Sequence, residues 1–475
     1  MADKNVNLGP VYLKNRNFTE NKTYERMSEN SWNVNSAFQP KDDGNTSVEI
    51  DENILGNQIH NYRKIKTLEE NIRKDIVSDK NSMHRSITPV LMLARFFALL
   101  PVQGIRSRNT SYLVFDWFSW SVIYVLIVLA SSFLITSLSL YKVYKTGLTY
   151  YSTVEIVFFG SSLVIYIIFI KLARGWPKVM KKWELAEREM RQFGHPRHTA
   201  LKFKLLSGVI MVLAIIEHLS AILKGIVKAI PCSTGGLDIF RTYFAMSFSQ
   251  VFSVVEFSWV IALPVGFLNL IIACAWNFMD LFIIILSCGL SDRFKQLNRR
   301  LSAVKGKVLP STYWRKSRET YNLLASLTRD FDDFLSPVIL LSFANNLYFI
   351  CLQLLNSLKP MHNIWEALYF VYSFSYLVGR TCAVSLCAAS INDQSKQPRN
   401  VLFSVPTESY GVEVARFLTQ VTSDELALTG CRFFSVTRTL MLTVAGTIVT
   451  YEIVLVQFNS VTNEAINQNN TLDCP

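Results

Sequence analysis

The sequence predicts an all-α polytopic membrane protein: seven transmembrane helices, a cytoplasmic N-terminus, an extracellular C-terminus and a bundle of anchor helices on the cytoplasmic side. Three observations predict it. The 475-residue chain is 50% hydrophobic and only 18% charged, with a mean hydropathy of +0.24, too apolar for one soluble domain. Seven apolar runs near Val114–Leu140, Thr153–Leu172, Leu205–Val227, Ala262–Cys288, Val338–Leu355, Trp365–Ile391 and Phe433–Phe458 approach the ~20 residues that cross a ~30 Å hydrocarbon layer. Lys and Arg are distributed asymmetrically between the loops joining them.

That asymmetry sets the orientation. Arg174, Lys178, Lys181, Lys182, Arg188, Arg191, Arg197, Lys202 and Lys204 follow the second run, and Arg293, Lys295, Arg299, Arg300, Lys305, Lys307, Arg315, Lys316, Arg318 and Arg329 follow the fourth. The alternate loops carry Lys142 and Lys145, Lys228 and Arg241, and Lys359. The heavily basic loops are therefore cytoplasmic, and the expected location is the plasma membrane. The net charge of +12 reflects this bias rather than nucleic-acid binding, since the basic residues flank spans and no nucleic-acid-binding motif accompanies them.

Taken in order, residues 1–84 form a cytoplasmic tail, its first 60 rich in Asn, Ser, Asp and Glu and expected to be disordered; there is no early apolar stretch resembling a signal peptide. Asn17, Asn21, Asn45 and Asn109 open glycosylation sequons that this topology leaves in the cytoplasm, whereas the sequon at Asn469 is extracellular. Residues 85–291 hold the first four spans, opened by PVLMLARFFALLP at 89–101, too short to cross and expected to lie at the interface or re-enter. Apolar residues from Tyr243 to Cys288 could make two spans, but two would place the basic 293–329 loop outside. One span is expected, kinked at Pro264 and continued upstream by a helix over the outer leaflet. Residues 292–335 alternate charged and apolar residues at helical spacing (Tyr321, Leu324, Leu327, Phe331), so the inner ends of spans four and five extend as cytoplasmic anchor helices. Spans five and six occupy 336–391. A further cytoplasmic helix lies in 392–432, over 408–428, with Thr407 as N-cap and its end near Gly430. The last span is 433–459, and 460–475 is an extracellular tail. Several amphipathic helices below the membrane need one another's apolar faces, which makes a packed bundle a candidate oligomerisation domain.

Of the eight cysteines, Cys274, Cys288, Cys351, Cys382 and Cys387 lie in or at the ends of spans as small apolar side chains, and Cys431 is at an inner helix boundary. Cys232 and Cys474 alone face the oxidising side, where a bridge between them is open. No metal-binding cysteine spacing, P-loop, HExxH or GxSxG is present, so neither an enzyme nor a cofactor is expected. The Asp330, Asp332, Asp333 cluster beside Arg329 reads as a solvated or salt-bridged face rather than a metal site.

Intramembrane polar residues are informative because a charge at the bilayer centre costs at least ~2.5–3.5 kcal/mol. Glu217 and His218 fall in the outer half of span three, Glu256 and Trp259 before the Pro264 kink, Asn345, Asn346 and Gln353 in span five, and Trp365, Tyr369, Tyr372 and Tyr376 in span six, with Arg380 deeper. Tyr369, Tyr372 and Tyr376 share one helix face. Aromatic planes, carboxylates and amides together suit a sugar, whose C–H faces stack on rings and whose hydroxyls need partners. The plainer reading is an interfacial aromatic belt with structural hydrogen bonds.

The segment GCRFFSVTRTLMLTVAGTIVTYEIVLVQF at 430–458 resembles the C-terminal signature of insect gustatory receptors: Thr-Tyr, five mostly apolar residues, Gln-Phe, departing only in the acidic Glu452. FFSVTR, AGTIVTYE, SDRFKQLNRRL at 291–301 and FFALLPVQGI at 96–105 are similar to the sugar-receptor subfamily. The resemblance covers about 85–475 and implies a ligand-gated, non-selective cation channel for monovalent and divalent ions. It implies a homotetramer, or a heteromer with related receptors, in which the last helix of each subunit lines a central pore. It also implies a mono- or disaccharide site in the outer half of the other helices, for which the polar and aromatic residues there, Glu217, His218, Glu256, Trp259, Gln353, Trp365, Tyr369 and Tyr372, are the candidates. A G-protein-coupled receptor would need the opposite orientation, and no inverted repeat supports a transporter; a receptor subunit signalling through a partner and a transporter are the alternatives. At 100° per residue, Thr447, Tyr451, Val454 and Phe458 share a stripe expected to face the pore. Thr450 and Gln457 flank it, and Glu452 points elsewhere. A ring of Phe458 would gate by dewetting, with Gln457 bonding a neighbouring subunit when closed and helping to solvate a cation when open; the bland alternative is that Gln457 only holds helices together.

Overall fold

The computed structural model describes residues 82–147, 150–191, 199–357 and 364–462. The expected disordered tail, the sequons at Asn17, Asn21, Asn45 and Asn469, and Cys474 lie outside them. Among the described residues the fold is helical: α1 (Met83–Phe96), α2 (Trp120–Thr146), α3 (Tyr150–Met190), α4 (Thr199–Ala229), α5 (Leu237–Ser247), α6 (Trp259–Ala303), α7 (Ser311–Ser357), α8 (Ile364–Lys396), α9 (Val412–Ser423) and α10 (Arg438–Thr462), with one-turn pieces between them.

Local signals explain the boundaries. Ser82 caps α1 and Ser119 caps α2, each hydroxyl accepting from a backbone N–H three residues on, of Arg85 and Val122, which satisfies one of the donors that a helix start leaves free. Gly147, at φ 82°, ends α2, a backbone conformation that costs other residues more. Within the apolar helices, Ser132, Ser139, Ser207 and Thr381 return their hydroxyls to the carbonyl four residues back, so these polar groups carry no unpaired donor into lipid.

Against the seven spans expected, six helices among the described residues, α2, α3, α4, α6, α7 and α8, are long and apolar enough to cross a membrane. In α6 the most apolar window is 89% buried, against 22–39% in the other five. It is the central post on which α8, α4, α7 and α3 pack. α10 has 25 residues, about 37 Å at 1.5 Å per residue.

α6 and α7 are 45 and 47 residues long, so both run past any apolar window into a polar, basic end, as the sequence predicts. There Trp183 packs on Phe331, and Tyr321 on Phe294 and Phe417. Ion pairs Lys182–Asp330, Glu187–Arg293, Lys202–Asp292 and Arg318–Glu413 tie α3, α4, α6, α7 and α9 around that aromatic core.

Three expectations are corrected. The upstream continuation of α6 is broken: α5 ends at Ser247, a one-turn helix spans Ser249–Phe252, and α6 starts at Trp259 as one helix running through Pro264. The proline stands in the second turn, where it removes the bond that its position would otherwise donate to the Val260 carbonyl. The helix expected over 408–428 covers only Val412–Ser423; Thr407 opens a separate 3-10 turn and Gly411 precedes the helix. The last helix begins at Arg438, not Phe433. Residues 424–437 form a tight hairpin-like strap instead, with Thr429 bridged to Ser435 and with Cys431 and Arg432 both left-handed (φ 49° and 64°).

Aspartates hold that strap. Asp332 accepts from the backbone N–H of Thr429 at 2.5 Å and from its hydroxyl at 2.9 Å. Asp333 pairs with Arg432, Arg329 with Asp424 and Arg438 with Asp393. The Asp330, Asp332, Asp333 cluster is thus a set of ties to three different places, in keeping with the salt-bridged reading. Cys232 is disulfide-bonded. Cys274, Cys288, Cys351, Cys382, Cys387 and Cys431 are free.

Candidate functional site

Polar residues recur along single faces of four packed helices. On α8 they are Tyr369, Tyr372, Ser373, Tyr376 and Arg380; on α6, Asn277 and Asp280; on α7, Ser342, Asn346 and Gln353; on α4, Glu217. Spacings of three, four and seven put each set on one stripe, and the stripes face one another.

Midway along α6 the stripes close around Asp280, which is fully buried. Its carboxylate accepts from Ser342 Oγ at 2.5 Å and Asn346 Nδ2 at 3.1 Å, and Arg380 Nε lies 2.8 Å from Oδ2. The guanidinium also donates to Asn346 Oδ1 at 3.0 Å and to Asn277 Oδ1, and it stacks on Trp276 at 4.7 Å and Tyr376 at 5.5 Å. Tyr376 donates to Asn277 Oδ1 at 2.8 Å and lies 3.2 Å from the Ile210 carbonyl. A buried ion pair offsets its desolvation only when its remaining donors and acceptors find partners; here Ser342, Asn346 and Asn277 take up the other carboxylate and guanidinium positions, while Nε meets Asp280 as an ion pair only.

Further from the basic end, Ser373 Oγ donates to Glu217 Oε1 at 2.9 Å and accepts from Gln353 Nε2 at 3.0 Å. Tyr369 reaches the same Glu217 oxygen at 3.4 Å, and its ring lies 5.2 Å from Lys224 Nζ, which pairs with Glu366. Tyr372 donates to the Leu213 carbonyl and stacks on Tyr376. A carboxylate, an amide, a hydroxyl and two phenols therefore converge between α4, α7 and α8, donors and acceptors mixed beside ring faces.

Of the eight residues expected at a sugar site, Glu217, Gln353, Tyr369 and Tyr372 are brought together. His218, next to Glu217, is half-buried. Trp259 lies in a separate aromatic group with Phe244 and Phe257, Glu256 beside it is exposed, and Trp365 is exposed near the start of α8. No hydrogen bond or ring contact joins that group to Glu217 among the described residues. Sequence reasoning singled out Arg380 and missed its partner. The signal was available: Asp280 is an ionisable residue inside the apolar run of the fourth span.

On α10, Met441, Val444, Ile448 and Glu452 are half-buried, while Thr447, Thr450, Tyr451 and Val454 are exposed. The expected pore stripe is thus about a quarter-turn from the packing stripe. The side chains of Gln457 and Phe458 lie outside the described residues. Ile448 packs on Ile350, Leu354 and Leu377, with Phe374 and Val378 alongside. One face of α8 meets the Glu217 cluster while another meets α10.

Comparison with known proteins agrees with this architecture. The trehalose receptor family model matches residues 65–468. The chain is 38% identical over 416 residues to the Drosophila melanogaster gustatory receptor for sugar taste 64f, covering 85% of this chain and 87% of that one. It is 36% identical over 390 residues to the Drosophila gustatory receptor 5a for trehalose, covering 82% and 87%. The insect olfactory receptor OR5 from Machilis hrabei shares the fold, with a TM-score of 0.59 at 15% identity over 78% of this chain and 97% of that one. The chain therefore belongs to the insect gustatory receptors, in their sugar-taste subfamily.

Proposed function

We propose that this receptor is a sugar-gated cation channel of the plasma membrane, a tetramer of seven-span subunits with the N-terminus inside and α10 lining a shared pore. The observation that carries the reading is the two-faced α8: Tyr369, Tyr372 and Ser373 stand with Glu217 and Gln353 on one side, and Phe374, Leu377 and Val378 stand against Ile448 of α10 on the other. A mono- or disaccharide held between α4, α7 and α8 would shift α8, and α10 with it. The apolar helix α10 is exposed over most of its circumference in a single subunit, and its Thr447–Tyr451–Val454 face is open among the described residues. A second, third and fourth copy would cover it. Phe458 would close the pore and Gln457 would stabilise the closed or open arrangement. Monovalent and divalent cations are the permeant ions.

The preference for a sugar rests on chemistry as well as kinship. Sugars carry no charge, so their affinity comes from several hydrogen bonds, each about 0.5–1.5 kcal/mol net and about 1.5–3 kcal/mol to a carboxylate, plus ring stacking. Glu217 supplies the carboxylate of the cluster. The test is a sugar dose–response on Glu217→Ala and Gln353→Ala with surface expression matched to wild type. A rightward shift in both supports the site; wild-type curves for every mono- and disaccharide would remove it.

A further inference from the structure

Two turns along the α6–α8 seam from the Asp280–Arg380 pair, toward the basic end, lie two free thiols. Cys387 is seven residues beyond Arg380 on the same face of α8, about 10 Å along the axis, and Cys288 is eight residues beyond Asp280 on α6. The Cys288 thiol donates to Cys387 Sγ at 3.6 Å. Cys288 is 8% exposed and Cys387 is half-buried. One turn beyond Cys288 stands Asp292, which binds both Lys202 Nζ at 2.9 Å and Lys295 Nζ at 3.1 Å. Two ammonium groups against one carboxylate leave this corner net positive. The lysines also mark it as a place water reaches.

We propose that Cys288 and Cys387 are a hydroperoxide-oxidised dithiol, a modification site that staples α6 to α8. Cys387 is the more exposed sulfur, so peroxide reaches it first. As its thiolate the sulfur bonds to one oxygen of hydrogen peroxide, the O–O bond breaks, and hydroxide leaves and takes up a proton as water. Cys387 is then a sulfenic acid. The Cys288 sulfur attacks Cys387, the S–O bond breaks, and a second water leaves with the thiol proton. Two thiols have lost two electrons and one peroxide has become two waters. Closing from 3.6 Å to the roughly 2.05 Å of a disulfide asks for a movement of about 1.5 Å, within reach of side-chain rotation and a small helix shift. The product fixes a covalent tie on the seam that joins the central post to the helix bearing the Glu217 cluster on one face and α10 on another. The chemistry is independent of which ligand the receptor takes.

The full-length protein in detergent is treated with hydrogen peroxide, free thiols are blocked, and the digest is read by mass spectrometry. The expected result is a linked peptide joining Cys288 to Cys387, formed before oxidation of Cys274, Cys351, Cys382 or Cys431 and removed by dithiothreitol. Cys288→Ser should lose the link and let Cys387 run on to sulfinic acid. Wild-type protein alone suffices to overturn the proposal: Cys387 driven to sulfinic or sulfonic acid with no Cys288-linked peptide, or the pair oxidised no faster than the other free thiols, contradicts it.

Discussion

Replacing Asp280 by asparagine keeps shape and removes charge. The new amide oxygen could still accept from Ser342, but Arg380 would remain buried at 3% side-chain exposure without a counter-charge. Losing one partner of a buried pair costs about 3–5 kcal/mol. The hydrogen bonds alone are a smaller effect, since interhelical bonds in membranes average about 0.6 kcal/mol, so Ser342→Ala should cost well under a third of Asp280→Asn. Converting Arg380 to methionine in the same chain removes both charges and leaves an apolar stem against Trp276 and Tyr376. The double variant should therefore be more stable than Asp280→Asn alone. In a thermal-unfolding assay of detergent-solubilised protein, the single variant is expected to lower the midpoint by roughly 5–10 °C and the double to recover at least half of that. Additive losses, with the double variant worse than either single, would show that the two charges are not coupled and that the seam is held by packing alone.

Further predictions concern other parts of the molecule. Epitope tags on intact cells should reveal the C-terminus and not the N-terminus; an exposed N-terminal tag would restore the G-protein-coupled orientation. Phe458→Ala should raise basal current without sugar, and Gln457→Ala should alter closed–open balance or ion permeability with little change in sugar affinity; unchanged leak and permeability in both would exclude these residues from the pore. Glu217→Ala should weaken apparent sugar affinity about ten- to a hundredfold, since about 1.4 kcal/mol is tenfold, whereas Trp259→Ala, remote from that cluster, should leave monosaccharide responses nearly intact. Burial holds the His84 imidazole below its ordinary pKa, against the opposing hydrogen bond to Ser107. The folded state then binds fewer protons than the unfolded one, so His84 contributes stability that is full above about pH 6.5 and is lost as pH falls through the lower folded value. The thermal midpoint should fall between pH 7 and 5, and His84→Gln should flatten that slope; an equal slope in both would assign it to other groups.

Much of the fold is legible because hydropathy and charge report it directly. The long apolar runs and the crowding of Lys and Arg between alternate pairs of them are composition-level signals, and the Tyr321, Leu324, Leu327, Phe331 repeat gives the extension of α7 in the same way. The strap at 424–437 was not legible: its left-handed Cys431 and Arg432 carry none of the Gly or Asn that would announce such a turn, and it is held by Asp332 and Asp333 nearly a hundred residues upstream. The break between α5 and α6 was hidden for a different reason. Apolar residues continue through Phe252 and Val255, and hydropathy does not distinguish a helix from an apolar turn. At the candidate site, the three- and four-residue spacing of Tyr369, Tyr372 and Tyr376 correctly placed one face. What spacing within one helix cannot give is which neighbour that face meets, and so Glu217 and Gln353 fell beside it while Trp259 and Glu256 fell elsewhere.

The central claim, that sugar opens a cation pore in this chain, is tested most directly by patch-clamp recording from cells that express it with no other gustatory receptor, and then together with a related sugar receptor, during application of trehalose and a panel of other mono- and disaccharides. The account predicts a rapid, sugar-dependent current that persists in excised patches without G-protein substrates, reverses near 0 mV as expected of a non-selective pore, and changes its basal level in Phe458→Ala. Sugar-evoked signalling that vanishes on excision and depends on guanine nucleotides, with no current that the Phe458 variant alters, would contradict it.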